Sequence, residues 1–224
     1  MLGVSEVMNV SDKVGYIWWA SPRCGSRAVS EIFKHYDFYN YELDSKFSDK
    51  SNIRYVAHTH SYDVPADKTS YPIIMQIRNP YSRAVSSWHL SCFKEQKGEL
   101  KVLCDFEQFV LKNPEGIMDH YENSIEKFKP KHFIRYENLQ EDIKKIPFVE
   151  IDSPFVQMDF ISNILNNQYK YEGVDDPRGD LRRTGNYADW KTYYMYNSRL
   201  ADLVYDAYKH QFEKLGYEKN SWKR

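Results

Sequence analysis

Gly15-Tyr16-Ile17-Trp18-Trp19-Ala20-Ser21-Pro22-Arg23-Cys24-Gly25-Ser26-Arg27 joins an apolar, aromatic-rich run to a short basic turn. The run reads as a buried strand, about Tyr16–Ala20. The turn contains one glycine, and a helix is expected after it, about Arg27–Tyr36. Strand, short loop, helix is a geometry that binds phosphate. The first N–H groups of a helix have no carbonyl of their own helix to donate to, and the dipole there is positive. Arg23 and Arg27 add cations and Ser26 adds a hydroxyl. The loop departs from the G-x-x-x-x-G-K-[ST] form of the common P-loop. Taken alone, it also fits a basic strand–helix turn that binds nothing.

A second segment changes the weight of the first. Pro72-Ile73-Ile74-Met75-Gln76-Ile77 is another apolar run, followed by Arg78-Asn79-Pro80-Tyr81-Ser82-Arg83-Ala84-Val85-Ser86-Ser87-Trp88. Pro80 disfavours helix at Asn79 and suits the first turn of a new helix. Arg78 therefore falls at a strand's carboxyl end. Ser86 falls on the helix that follows, about Tyr81–Phe93, with Arg83 one turn earlier. A guanidinium and a hydroxyl near a helix start suit a phosphate monoester. Open α/β sheets bind ligands beyond the carboxyl ends of their strands. Two anion sites at two such ends imply a ligand with two separated phosphate groups.

Four blocks in order resemble the PAPS-dependent sulfotransferases, whose donor is 3′-phosphoadenosine-5′-phosphosulfate. Pro22-Arg23-Cys24-Gly25-Ser26 resembles their 5′-phosphosulfate loop, P-[KR]-x-G-[ST]-[ST]. Arg78 through Ser86 resembles their 3′-phosphate motif, R-[DN]-P with a serine eight residues after the arginine. Ile134-Arg135-Tyr136-Glu137-Asn138-Leu139 is similar to their Y-E-[DN]-L segment. Arg182-Arg183-Thr184-Gly185-Asn186-Tyr187 with Trp190-Lys191 is similar to a late R-[KR]-x-G…W-K segment. The resemblance implies that Arg23, Cys24, Gly25, Ser26, Arg27 and Ala28 line the 5′-phosphosulfate, with Arg23 also stabilising the leaving oxygen. It implies that Arg78 and Ser86 hold the 3′-phosphate, that Tyr136 contacts adenine, and that Arg182, Arg183 and Gly185 cover the donor. Arg27 stands where many members have threonine, so it reads either as a second phosphate cation or as a solvated residue. Ala28 stands where soluble small-molecule enzymes often have tryptophan. For Tyr136 the alternative is a buried strand-end tyrosine, and for Cys24 a small loop residue.

Sulfuryl transfer also needs a base. Ala57-His58-Thr59-His60-Ser61 ends an expected strand, Arg54–His58. Thr59-His60 matches the last two residues of the family's K-T-H segment, so the resemblance puts the general base at His60, with His58 in the lysine position. A neutral imidazole suits proton abstraction near pH 7. Glu31, on the first helix, is the alternative base. The His-x-His pair finds only Asp63 nearby as a third ligand, and no metal is expected.

The fold class expected is α/β: a central parallel β-sheet flanked by helices, P-loop-like. The 224 residues read as a single sulfotransferase domain, with residues 1–13 a mixed, polar, flexible lead. Further helices are expected at Phe106–Leu111, Tyr121–Phe128, Glu137–Lys145 and Phe155–Leu165, a strand at His132–Tyr136, and an exposed turn at Gln96–Leu100. A last helix carrying Leu200, Leu203, Val204, Ala207 and Tyr208 is capped by Gly216.

The 31 basic and 32 acidic residues nearly cancel, which gives no basis for nucleic-acid binding. No apolar stretch reaches the length of a membrane span, and no signal-peptide pattern is present. Cys24, Cys92 and Cys104 have neither metal spacing nor a disulfide framework. These readings lead to the expectation of a cytoplasmic enzyme with reduced thiols. The acceptor is expected to be a hydroxyl or an amine, on a small molecule or a glycan. Tyr187–Tyr194 looks like the carbohydrate branch and Thr59-His60 like the small-molecule branch, and a glycan hydroxyl is the reading adopted. The alternatives are a P-loop nucleotide kinase, against which the missing lysine–serine pair argues, and a non-catalytic nucleotide-binding protein. Oligomeric state is not legible.

Overall fold

The computed structural model describes residues 7–21, 24–40, 64, 66–96, 99–112, 125–153, 190–195 and 197–223. The chain divides into two compact units, Met1–Ile77 with Asn123–Asn166, and Arg78–Glu122 with Asn167–Arg224.

The first unit is built on a five-stranded sheet. Its strands are β1 (Val7–Ser11), β2 (Tyr16–Ala20), β3 (Tyr39–Asn40), β4 (Ile73–Ile77) and β7 (His132–Arg135), in the order β3-β1-β2-β4-β7. β2, β4 and β7 run parallel, with Ile17 opposite Ile73 and Ile74 opposite His132. This is the parallel sheet expected. Every residue of β4 is buried, as in a central strand covered on both faces. Two antiparallel strands extend the sheet at the β2 edge. The lead expected to be flexible therefore contributes β1, which pairs from Val7–Ala20 to Ser11–Tyr16. Its Asn9 and Ser11 are buried polar residues, which break the apolar pattern by which a strand is recognised in sequence.

The helix α1 (Ser26–Phe33) covers one face. Its Ala28, Val29, Ile32 and Phe33 share a core with Trp18, Ile74, Ile134 and with Leu139 and Ile143 of α4 (Leu139–Ile143). Trp18 meets Phe33 edge-on, with 5.3 Å between ring centroids. On the opposite face, as strand alternation requires, Trp19 meets Phe128.

The second unit is helical around one hairpin. It contains α2 (Pro80–Cys92), β5 (Phe93–Gln96), β6 (Glu99–Val102), α3 (Phe106–Lys112), α5 (Lys191–Met195) and α6 (Ser198–Leu215). Val85 and Trp88 of α2 pack with Phe106 and Phe109 of α3, Tyr194 of α5, and Val204 and Phe212 of α6. Gly216 ends α6 in the left-handed conformation, φ 71°, as its position suggested. Within the stretch expected as a turn, Gln96–Leu100, Gln96 pairs with Glu99 as the last pair of the β5–β6 hairpin, which starts at Phe93–Val102; residues 97–98 lie outside the described residues. The hairpin's charged residues, Lys94, Glu95, Glu99 and Lys101, hide the strand signal. Sequence patterning places α2 and α3 to within a residue or so of the observed ends. The expected strand Arg54–His58 and helix Phe155–Leu165 lie outside the described residues.

The reading of three reduced cysteines is corrected. Cys92 and Cys104 form a disulfide across the base of the hairpin, and Cys24 keeps its thiol outside any disulfide. The two stand 12 positions apart in sequence, and the hairpin pairing brings them together. Cysteine usage therefore no longer argues for a reducing compartment. Among the described residues no helix is long and apolar enough to cross a membrane.

Thiol titration of the denatured, unreduced protein is expected to find one thiol, rising to three after reduction. Three thiols without reductant show the pair to be unformed.

Candidate functional site

The carboxyl ends of β2, β4 and β7 lie side by side, because the three strands are parallel neighbours. Each runs straight into one of the segments singled out above: Ser21–Gly25, Arg78-Asn79 and Tyr136–Asn138.

After β2 the chain turns into α1 with Gly25 at the N-cap, φ 81° and ψ 27°. Only glycine adopts this left-handed conformation at low cost. A second constraint comes from Tyr136, since a Cβ on Gly25 would stand 2.5 Å from its Cδ2. The family resemblance paired these two residues only through a common ligand, whereas here the ring lies directly against the turn. Cys24 is fully buried, and its carbonyl accepts a 2.9 Å hydrogen bond from Gln76 Nε2. A thiol so enclosed suits packing, which is the second of its two readings. Ser21 is also buried, and its hydroxyl has no hydrogen-bond partner among the described residues. Ser26 opens α1, whose first turn holds no acidic residue. Ala28 departs from a ligand-facing role: its methyl lies in the core and its N–H donates to Gly25 O.

Tyr136 opens a tight turn directly after β7. Buried Asp142 organises that turn. Its carboxylate accepts from Arg135 N–H and Asn138 Nδ2, both at 3.0 Å, and from Lys145 Nζ at 2.8 Å. Burial pushes the Asp142 carboxyl up, but the Lys145 ammonium and the Arg135 N–H outweigh it and hold the group below the usual carboxylate range.

In the second unit, Arg78 is buried, and its Nε donates to Ser82 Oγ on the first turn of α2. The bond uses one of five guanidinium N–H donors. Ser82 and Ser86 are one turn apart and share a helix face, so Ser86 lies along the line that Arg78 begins. Arg83 is buried as well, which places two guanidinium charges at a helix N-terminus that has no acidic residue in its first turn. Asn79 caps this helix through Oδ1, which accepts from Tyr81 N–H, while its Nδ2 donates to Ser221 Oγ. Tyr81 Oη donates to Lys219 O and Tyr194 Oη to Tyr81 O, so the carboxyl-terminal segment braces the start of α2.

Arg23, His60, Arg182, Arg183 and Gly185 lie outside the described residues, as does the side chain of Arg27. Glu31 is an exposed residue of α1 paired with Lys34. Sequence reasoning missed Gln76, Ser82 and Asp142. For Gln76 a signal existed: it is the single polar residue in an otherwise apolar strand. Ser82 and Asp142 sit in segments whose composition is ordinary.

Residues 45–147 match the family model described as Sulfotransferase domain. The matched stretch contains His60, Arg78, Ser86, Tyr136, Gln76 and Asp142; the Ser21–Arg27 turn and Arg182–Gly185 fall outside it. Neither a curated protein nor a solved structure matches the chain.

Gly25→Ala is expected to lower stability by at least about 1–2 kcal/mol, the cost of a left-handed alanine. For a chain of this size that is roughly 2–8 °C in Tm, readable by thermal unfolding. An unchanged Tm shows that the turn relaxes freely. Because the Asp142 carboxyl is depressed in the fold, its contribution is present above about pH 4, the unfolded value, and is lost as pH falls through the folded value. Asp142→Asn should therefore be less stable than wild type at pH 7, and the gap should narrow on acidification. A gap independent of pH shows that the carboxylate charge is irrelevant.

Proposed function

We propose that this protein, a sulfotransferase by the match over residues 45–147, moves the sulfuryl group of PAPS to a hydroxyl, that of a carbohydrate above all, and releases PAP. The match supports sulfuryl transfer by a transferase enzyme; donor, acceptor and base are our reading. The observation that carries the donor assignment is Arg78, a buried guanidinium oriented by Ser82 at a helix N-terminus. Arg83 and Ser86 of the same helix are buried with it. Buried cations at a helix start favour a compact dianion such as a 3′-phosphate, and a second anion site follows β2 at the N-terminus of α1. The Gly25 turn suits the close approach of a phosphate to backbone, since it presents no side chain.

Bound PAPS supplies the activated sulfuryl group. On this reading Arg78 and Ser86 hold the 3′-phosphate. Arg23, Gly25 and Ser26 hold the 5′-phosphosulfate, with Arg27 a second cation there. Arg23 stabilises the charge that develops on the bridging oxygen as the bond from that oxygen to sulfur breaks. His60 takes the proton of the acceptor hydroxyl as its oxygen bonds to sulfur, so that charge is neutralised at both ends of an in-line transfer. Tyr136 flanks the adenine, and Arg182, Arg183 and Gly185 cover the donor. No step requires a metal. The whole chain acts as one sulfotransferase domain. The glycan acceptor rests on the Tyr187–Tyr194 segment.

Calorimetric titration with PAP, run beside ATP with magnesium, tests the donor. PAP binding at micromolar affinity or tighter, without comparable ATP binding, is the expected result. ATP binding with no preference for PAP overturns it in favour of a kinase. Arg78→Ala is expected to weaken PAP about 10- to 150-fold, the worth of a hydrogen bond to a charged group. His60→Ala should leave PAP affinity within about threefold while turnover is lost. A fully active His60→Ala moves the base elsewhere.

A further inference from the structure

The side chain of Gln76 is anomalous where it stands. β4 is Ile73-Ile74-Met75-Gln76-Ile77, and Gln76 is fully buried in it. Alternation puts it on the face of Ile74, the face that α1 covers. An aliphatic residue there would avoid the cost of burying an amide, and a buried amide is tolerated only where it is hydrogen-bonded. Its Nε2 donates to Cys24 O at 2.9 Å. A carbonyl oxygen only accepts, so the NH2 end of the amide must face the turn.

The consequence follows from peptide geometry. In a trans peptide the C=O and the next N–H point in opposite directions. Holding Cys24 C=O towards the sheet turns Gly25 N–H away from it. If this peptide flipped, a carbonyl oxygen would take the place of that donor and repel an anion. Gly25 is free to flip as far as its own φ is concerned. Tyr136 backs the turn on one side, and Gln76 Nε2 lies 3.8 Å from where a Gly25 Cβ would be.

We propose that Gln76 is a positioning residue for the nucleotide: its amide locks the Cys24–Gly25 peptide with the N–H side towards the 5′-phosphosulfate. This rests on the reading of the Ser21–Arg27 turn as that group's site. The residue acts through the backbone and touches no reacting atom.

Gln76→Met keeps the length of the side chain and removes its donor. The expected result is PAP affinity about tenfold weaker, together with hydrogen exchange at Gly25–Ala28 about tenfold faster in the ligand-free variant. Exchange within β2, β4 and β7 should stay at the wild-type rate. If both PAP affinity and turn exchange are unchanged, the inference is overturned. If exchange rises uniformly across the sheet with a lower Tm, Gln76 serves general stability and the inference is again overturned. A wild-type protein that fails to bind PAP overturns the nucleotide reading itself, and the role of Gln76 towards it. PAP binding in the wild type with undiminished affinity in Gln76→Met sinks this inference alone.

Discussion

The parallel pairing of β2, β4 and β7 is the constraint on which the arrangement depends. Parallel neighbours end at the same edge, so the segments after β2 and β7, distant in sequence, emerge together. Antiparallel pairing would send them to opposite edges. The pairing explains why Gln76, in the middle strand, reaches the turn after β2, and why Tyr136, after β7, reaches the same turn. Glycine at position 25 leaves room for that convergence: its left-handed backbone makes the turn and its missing side chain admits the tyrosine ring.

The two proposed anion sites are built by different means. The turn before α1 relies on backbone: a glycine, a helix N-terminus and a carbonyl tied inward by Gln76. The start of α2 relies on side-chain charge, with Arg78 and Arg83 buried and Ser82 orienting the first. Buried guanidinium groups are costly to place, so their surroundings have to be rigid. The Asn79 cap and the hydrogen bonds from Tyr81 and Tyr194 supply that rigidity, using residues from the far end of the sequence. Tyr194 of α5 and the tail residues Lys219 and Ser221 thus support the start of α2. The Cys92–Cys104 pair closes the chain where α2 ends and the hairpin begins.

Much of the fold was legible. Strands β2 and β4 are continuous apolar runs, and the start of α2 is marked by proline, which has one place at a helix start. The end of α6 is marked by glycine. β1 was not legible, because it carries polar residues, Asn9 and Ser11, at positions that packing later buries. The hairpin was hidden by its charges, and the disulfide with it, since a pairing of cysteines is a statement about distance and sequence has none. Within the site, the motif residues Gly25, Arg78, Ser86 and Tyr136 stood out by type and spacing, but their supports did not. Asp142 looks like any acidic residue of a short helix until the turn folds over it. Ala28 carried a motif position, yet the helix face it occupies turns it to the core.

By itself the sequence determined which local shapes form, where basic and hydroxyl side chains stand relative to strand ends, and which family the chain resembles. Each of these depends on residue type at short spacing. Tertiary structure alone decided that Gln76 ties the Cys24 carbonyl, that Tyr136 closes on Gly25, that Asp142 gathers its donors, and that two cysteines meet. These contacts join residues whose separation in space is set by strand pairing and helix packing, and no local pattern records that separation.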